Sequence, residues 1–276
     1  MTGAPATLTA AAVRVLTTAP AADKVALTRA FAAERRAGGL RQVGDARPPD
    51  RPARPPRPEL RPPRDMPRRA PGSLAGRVAF LHAIAHIELN AIDLAWDIIA
   101  RFAGDGLPAA FFDDWVSVAA DEAEHFALLE DRLGELGAHY GALPAHDGLW
   151  EAAESTADDL LARLAIVPMN LEARGLDTTP TAIDRLRRHG DDASAAVLAR
   201  IADEEVGHVA AGVRWFEVLA ARRGLDPVAA FRQILAERFK GRLKGPFNGP
   251  ARAAAGMDTA YFATAPDAAA RPALDN

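Results

Sequence analysis

Four glutamates occupy positions where a helical protein should carry only apolar side chains. Glu88 shares a helix face with Leu81, Ile84, Ala85, Ala91, Ile92, Ala95 and Ile99. Glu122 and His125 lie on the stripe of Trp115, Val118, Ala119, Phe126, Leu129 and Leu133. Glu172 is in line with Leu161, Leu164, Ala165, Pro168 and Met169. Glu205 and His208 fall on the stripe of Leu198, Ile201, Ala202, Val209, Gly212, Val213 and Phe216. Offsets of three, four, seven and eight residues define one face of an α-helix. Burying four carboxylates without compensation costs several kcal/mol each. Two divalent cations would neutralise four glutamates, and the two imidazoles would complete the set with one His per ion. Glu-x-x-His puts both side chains about one turn apart, able to reach a common point.

The pattern repeats. Glu88 precedes Glu122 by 34 residues, and Glu172 precedes Glu205 by 33. One Glu-x-x-His arises by chance in many helices. Two of them, each preceded at near-equal spacing by a core-facing Glu, are a strong signal.

Caps and breakers outline the helices that carry this pattern. The first starts at Ser73, an N-cap, and runs to Phe102; the second opens after Pro108 and stops at Gly137. The third spans Leu149 to Arg174 and must kink at Pro168. A short helix over Pro180–His189 leads to the fourth, Asp192–Arg223, and Asp226-Pro227 caps a fifth that ends near Lys240. Residues 6–37 read as one or two short helices with Leu8, Val13, Leu16, Val25, Leu27 and Phe31 as apolar points. Residues 44–71 repeat Arg and Pro-Pro too densely for a helix and should run extended over the surface. The chain thus divides into an N-terminal helical arm (1–43), a Pro/Arg-rich extended segment (44–71), a four-helix unit (72–224) and a C-terminal helix with its tail (225–276). The connection over residues 138–148 can reach about 36 Å when extended, against roughly 42 Å for the second helix. A long crossover is therefore nearly within reach, and a simple antiparallel turn is the alternative.

Composition narrows the chemistry. With no cysteine, thiolate nucleophiles, disulfides and iron–sulfur clusters are excluded, and a metal must be held by His and carboxylate. Aromatics make up only 6% while Ala, Leu and Arg abound, which suits helices better than sheets. Met1 to Ala12 lack a signal-peptide pattern and no run of 18 apolar residues occurs, so no membrane span and a cytoplasmic location are expected. Residues 47–69 hold eight Arg against Asp50, Glu59 and Asp65, and residues 222–244 hold seven Lys or Arg against Asp226 and Glu237. Such flanks suit an anionic partner or a solvated surface.

The stretches HAIAHIELNAIDLAWD, DEAEHFALLEDRLGELG, AHDGLWEAA, PMNLEARGLD and DEEVGHVAAGVRWF resemble an uncharacterised bacterial family of ferritin-like proteins, domain of unknown function 455. The likeness covers roughly residues 10–250, including PPDRPARP in the Pro-rich segment. It implies an all-α, ferritin-like four-helix bundle of the di-iron carboxylate superfamily. It also implies six metal ligands, Glu88, Glu122, His125, Glu172, Glu205 and His208, with Glu122 and Glu205 bridging and Glu88 and Glu172 more terminal. Two Fe ions are the expected cofactor, with Fe/Mn or Mn as alternatives.

The function expected is an O₂-activating oxidoreductase, a hydroxylase or oxidase, acting on a small molecule or RNA with an electron-donor reductase. Iron handling (ferroxidase or peroxide removal) and a metal-stabilised non-catalytic module are the competing classes. The absence of a Cys₄ iron centre argues against rubrerythrin-like electron transfer. Outside the six positions, His82 and His86 turn away from Glu88 beside Asn90 and Asp93, a polar seam facing the N-terminal segment. His146 reads as a loop hydrogen-bonder, and Trp96, Trp115, Trp150 and Trp215 as core packing. Both halves also place an acid just before the second Glu, Asp121 and Glu204, about 100° round the helix. A metal-bound imidazole usually donates its free N–H to a carboxylate. Glu204 is therefore expected to accept from His125, and Asp121 from His208.

Overall fold

The computed structural model describes residues 5–67 and 72–263, and among them the regular structure is helical. Two arm helices, α1 (Leu8–Leu16) and α2 (Ala21–Arg36), precede the Pro-rich segment. The long helices are α3 (Leu74–Arg101), α4 (Ala109–Glu135) and α8 (Asp192–Arg222). Between α4 and α8 lie α5 (Gly148–Glu154), α6 (Leu160–Ile166), a π-helical turn (Val167–Glu172) and α7 (Ala173–Arg188). The helices α9 (Pro227–Arg238), α10 (Gly249–Ala254) and α11 (Thr259–Phe262) close the described chain. The starts follow the expected chemistry: Ser73 caps α3 by accepting from Gly76 N at 3.1 Å, and Asp226 caps α9 by accepting from Ala229 N at 2.8 Å.

Cross-chain contacts give the directions. Gly141 N, just past α4, donates to His82 Nε2 near the start of α3 at 2.9 Å, so α3 and α4 are antiparallel. Asp191, at the start of α8, meets Arg132 at the end of α4 at 2.8 Å, while Arg214 far along α8 meets Asp114 at 2.5 Å. Those two helices are therefore antiparallel as well. Arg163 in α6 donates to Asp97 near the end of α3 at 2.6 Å, and α7 ends just before Asp191. The α6–α7 rod thus runs parallel to α4, and the connection between them is a crossover along α3. It takes more chain than residues 138–148, because α5 is built into it and packs Trp150 and Ala153 against Leu94 and Val167.

Two helix expectations need correction. The third helix is not continuous from Leu149: it breaks after Glu154 and restarts at Leu160, where Asp159 accepts from Leu161 N at 3.0 Å. Pro180 does not begin a separate helix but sits inside α7. Proline there removes the N–H that would serve the carbonyl of Leu176. That carbonyl instead accepts from Asn248 Nδ2 at 3.1 Å, so a tertiary contact satisfies the group that local rules leave unpaired.

The described part of the Pro-rich segment is extended apart from a 3₁₀ turn at Pro63–Asp65, while Arg68–Pro71 lie outside the described residues. It is more than a surface covering. Ala53 N donates to Leu16 O at 2.7 Å, Arg54 to Asn90 Oδ1 at 2.5 Å, and Arg101 of α3 to Pro49 O at 3.1 Å. Buried Lys24 of α2 donates to buried Asp93, joining arm, strap and α3. The seam expected to face the N-terminal segment is therefore divided. Asn90 and Asp93 do so, but His86 bonds to Tyr140 Oη at 2.8 Å and to the His146 carbonyl at 3.1 Å in the crossover. By hydropathy and length α3 could cross a membrane, but 72% of its apolar window is buried inside the protein.

Candidate metal centre

The six candidate side chains come from four neighbouring rods: Glu88 from α3, Glu122 and His125 from α4, Glu172 from the π turn, and Glu205 and His208 from α8. Glu88, Glu122, His125 and Glu205 bring one ligand atom each within 4.8 Å of one another. His125 Nδ1 lies 3.3 Å from Glu88 Oε2, 3.5 Å from Glu122 Oε2 and 3.9 Å from Glu205 Oε1. His208 Nδ1 lies 3.0 Å from Glu122 Oε1 and 3.6 Å from Glu205 Oε2. Glu122 therefore faces both imidazoles, and so does Glu205. Glu172 is within electrostatic reach of Glu205, Glu122 and His208.

The contacts inside the cluster are close yet poorly made as hydrogen bonds. Both carboxylate oxygens of Glu122, Oε2 of Glu172, Oε2 of Glu205 and Nδ1 of His208 are buried without a hydrogen-bond partner. Orphaned buried polar atoms are rare in native proteins and call for an explanation. Here they belong to carboxylate oxygens and an imidazole nitrogen, donors that suit a metal cation. The buried Glu/His group could therefore hold a metal ion, which would satisfy donors that the protein leaves unpaired.

Electrostatics agree. Burial, then the carboxylate of Glu122, pushes Glu88 well above its ordinary range; burial, then Glu205 and Glu122, does the same to Glu172. Burial also acts to raise Glu122, but the neighbouring Glu88 carboxyl and His208 outweigh it and hold Glu122 below the usual range. Burial opposes charge on His125, yet Glu122 and Glu88 raise its pKa to about 11. His208 is raised in the same sense by Glu205 and Glu122 against burial. The packing of these groups thus favours the neutral form of Glu88 and Glu172 and the charged form of both imidazoles.

Both imidazoles turn Nδ1 toward the carboxylates and Nε2 away. His125 Nε2 lies 2.8 Å from Glu204 Oε2, and His208 Nε2 lies 3.4 Å from Asp121 Oδ2. The crossed contacts between α4 and α8 are those expected from the acid preceding each Glu-x-x-His. Glu204 uses its other oxygen to accept from Arg200 at 3.1 Å, so the surface pairing and the brace coexist.

Sequence reasoning missed the buried ion clusters around the centre. Asp97 accepts from Arg101 and from fully buried Arg163, and Asp177 pairs with buried Arg252 at 2.7 Å. The spacing of Asp93, Asp97 and Arg101, each four residues apart, was the available signal for α3. Nothing local pointed to Arg163 or Arg252.

A family model described as "Protein of unknown function (DUF455)" matches residues 17–263. An uncharacterized protein of Haemophilus influenzae is 43% identical over 201 residues, which cover 70% of this chain and 69% of that protein. No solved structure matches this chain.

Proposed function

The chain belongs to the family of unknown function DUF455, and from that footing we propose that it is a ferritin-like, four-helix dinuclear metal protein, most simply a di-iron oxidoreductase. The observation that carries this reading is the set of buried, hydrogen-bond-deficient atoms of Glu122, Glu205 and His208 beside the convergent Glu/His group, with the equally deficient Oε2 of Glu172 within electrostatic reach. Two bound irons would supply electrons and open positions for O₂ activation, as in other non-haem carboxylate centres. The protein's own part is to hold six donors on four rigid rods, exclude bulk water and fix the imidazoles through Glu204 and Asp121. Glu88, Glu122, His125, Glu172, Glu205 and His208 would hold the ions, with Glu122 and Glu205 each facing both imidazoles. A small organic substrate is preferred to RNA, because part of the basic charge is already paired. Arg51 meets Asp147 and Glu154, Arg223 meets Asp159, and Arg238 meets Asp158.

Metal analysis of anaerobically purified protein tests the reading, with about two ions per chain expected and iron dominant after growth in iron-rich medium. Less than roughly 0.3 ion per chain after careful reconstitution would defeat it. Oxygen uptake by the reduced, loaded protein, lost in Glu122→Ala, separates an oxidoreductase from a structural metal module.

The braces make a graded prediction. Removing a carboxylate that orients a metal-bound imidazole typically weakens affinity about 10–100-fold. Glu204→Ala should cost more than Asp121→Ala, because its contact is the shorter, and both variants should keep the helical fold. Competition with a chromogenic chelator reads the difference; equal affinities in both variants and the parent would remove the bracing role.

A further inference from the structure

The π turn that carries Glu172 rests on a glycine. Gly212 lies in the middle of α8, where glycine is unfavourable relative to alanine and where no positive φ calls for it. The reason is steric. A Cβ at Gly212 would stand 2.6 Å from Pro168 Cβ, 2.8 Å from Pro168 Cγ and 3.6 Å from Met169 Cγ. The pyrrolidine ring cannot rotate out of the way, so any side chain at 212 must displace the backbone of the turn. The other glycines near the centre behave differently: a Cβ at Gly207 of α8 or Gly175 of α7 meets nothing within 4 Å.

This seat is one helical turn from the centre on both sides. Pro168 is four residues before Glu172, and Gly212 is four residues after His208. Glu172 Oε2 is buried with no hydrogen-bond partner, so at that oxygen no hydrogen bond guides the carboxylate to its place. Its position is inherited from the backbone of the turn. Because proline lacks an N–H and the turn is π-helical, that backbone does not have the usual α-helical ladder to define it.

We propose that Gly212 and Pro168 are positioning residues, whose ring-on-glycine contact sets the place of Glu172 in the metal centre. The proposal rests on the dinuclear reading above and adds to it an asymmetry. The ion held among Glu88, Glu122, His125 and Glu205 depends on straight helices, whereas the ion drawing on Glu172 and His208 depends on the seat. Gly212→Ala pushes the turn off α8 and withdraws Glu172. Pro168→Ala removes the ring and restores an N–H, loosening the same seat without adding bulk.

Cobalt(II) chloride titration of metal-free full-length protein, followed by its visible absorption and by equilibrium dialysis, tests this. The parent is expected to take two ions. Gly212→Ala and Pro168→Ala are expected to keep the first at parental affinity and to bind the second about 10–100-fold more weakly, with the corresponding absorption band lost. Gly207→Ala and Gly175→Ala, which add a methyl where there is room, should titrate like the parent. Two ions at parental affinity in Pro168→Ala would overturn the proposal alone, even if Gly212→Ala fails to fold. Equal weakening of both ions in the two seat variants would also overturn it, since general destabilisation does not choose between sites. A parent that binds no cobalt would instead overturn the metal-centre reading on which the proposal stands.

Discussion

On the metal-centre reading proposed above, stripping the metal should lower the melting temperature of this protein, and the loss should grow as the pH rises. Ligand that binds only the folded state at a thousand times its dissociation constant adds about 4 kcal/mol of stability. In the metal-free protein, Glu88 and Glu172 have raised pKa values, caused first by burial and then by neighbouring carboxylates. A carboxyl raised in the folded state favours folding while protonated, and that support is lost as the pH climbs above its ordinary value near 4.5. His125, raised to about 11, contributes stability that is complete below its ordinary value of 6.5 and fades as the pH rises toward 11. Both effects weaken the metal-free protein in the same direction. Bound cations replace the protons, so the loaded protein escapes this loss and its affinity for metal rises with pH. Melting curves with and without chelator at pH 5, 7 and 9 check the trend; a gap that is constant or narrows toward pH 9 would contradict it.

Asp97→Ala should be among the most destabilising single changes outside the metal centre. Arg163 is fully buried, donates to Asp97 at 2.6 Å, and is otherwise bonded to Thr156 Oγ1 and the carbonyl of Ala153. Arg101 bonds to the same carboxylate from the other side. Removing Asp97 leaves two guanidinium groups facing each other, one of them without solvent. Breaking one partner of a buried ion pair typically costs about 3–5 kcal/mol. The comparison is Glu124→Ala, which removes the pair with Arg29 at 2.6 Å where both side chains are nearly half exposed. There the loss should be about 0.2–1 kcal/mol. Urea unfolding of the two variants beside the parent measures both; near-equal losses would mean that the Asp97 cluster contributes no more than a surface pair. The cluster matters to the fold because Arg163 ties the far end of the crossover to α3.

The helices and the convergence of the site were legible because both are periodic. Apolar residues at offsets of three and four mark a helix face wherever it later packs. An acid repeated on that face in Glu88, Glu122, Glu172 and Glu205 cannot be explained by solvent. The same local phase placed Asp121 and Glu204 toward a neighbouring helix, and each lies within 3.4 Å of the imidazole assigned to it. Caps at Ser73 and Asp226 were legible for a similar reason, since the cap bonds a backbone N–H only three residues away.

Proline shows where local reasoning stops. From the sequence, Pro168 and Pro180 are two residues of one type that each remove a backbone N–H. Pro180 stays within α7, where Asn248, 68 positions later, serves the carbonyl it leaves open. Pro168 becomes a π turn seated on Gly212, 44 positions later. Likewise, nothing local marks Arg163 and Lys24 as interior, yet both are buried against acids of α3. The long helices, their buried faces and the acids and imidazoles gathered on them follow from local pattern, because they depend on neighbours within two turns. How each proline is accommodated, which charges go inside and how the crossover travels depend on long-range packing, because there the partner that satisfies or supports each group comes from a distant part of the chain.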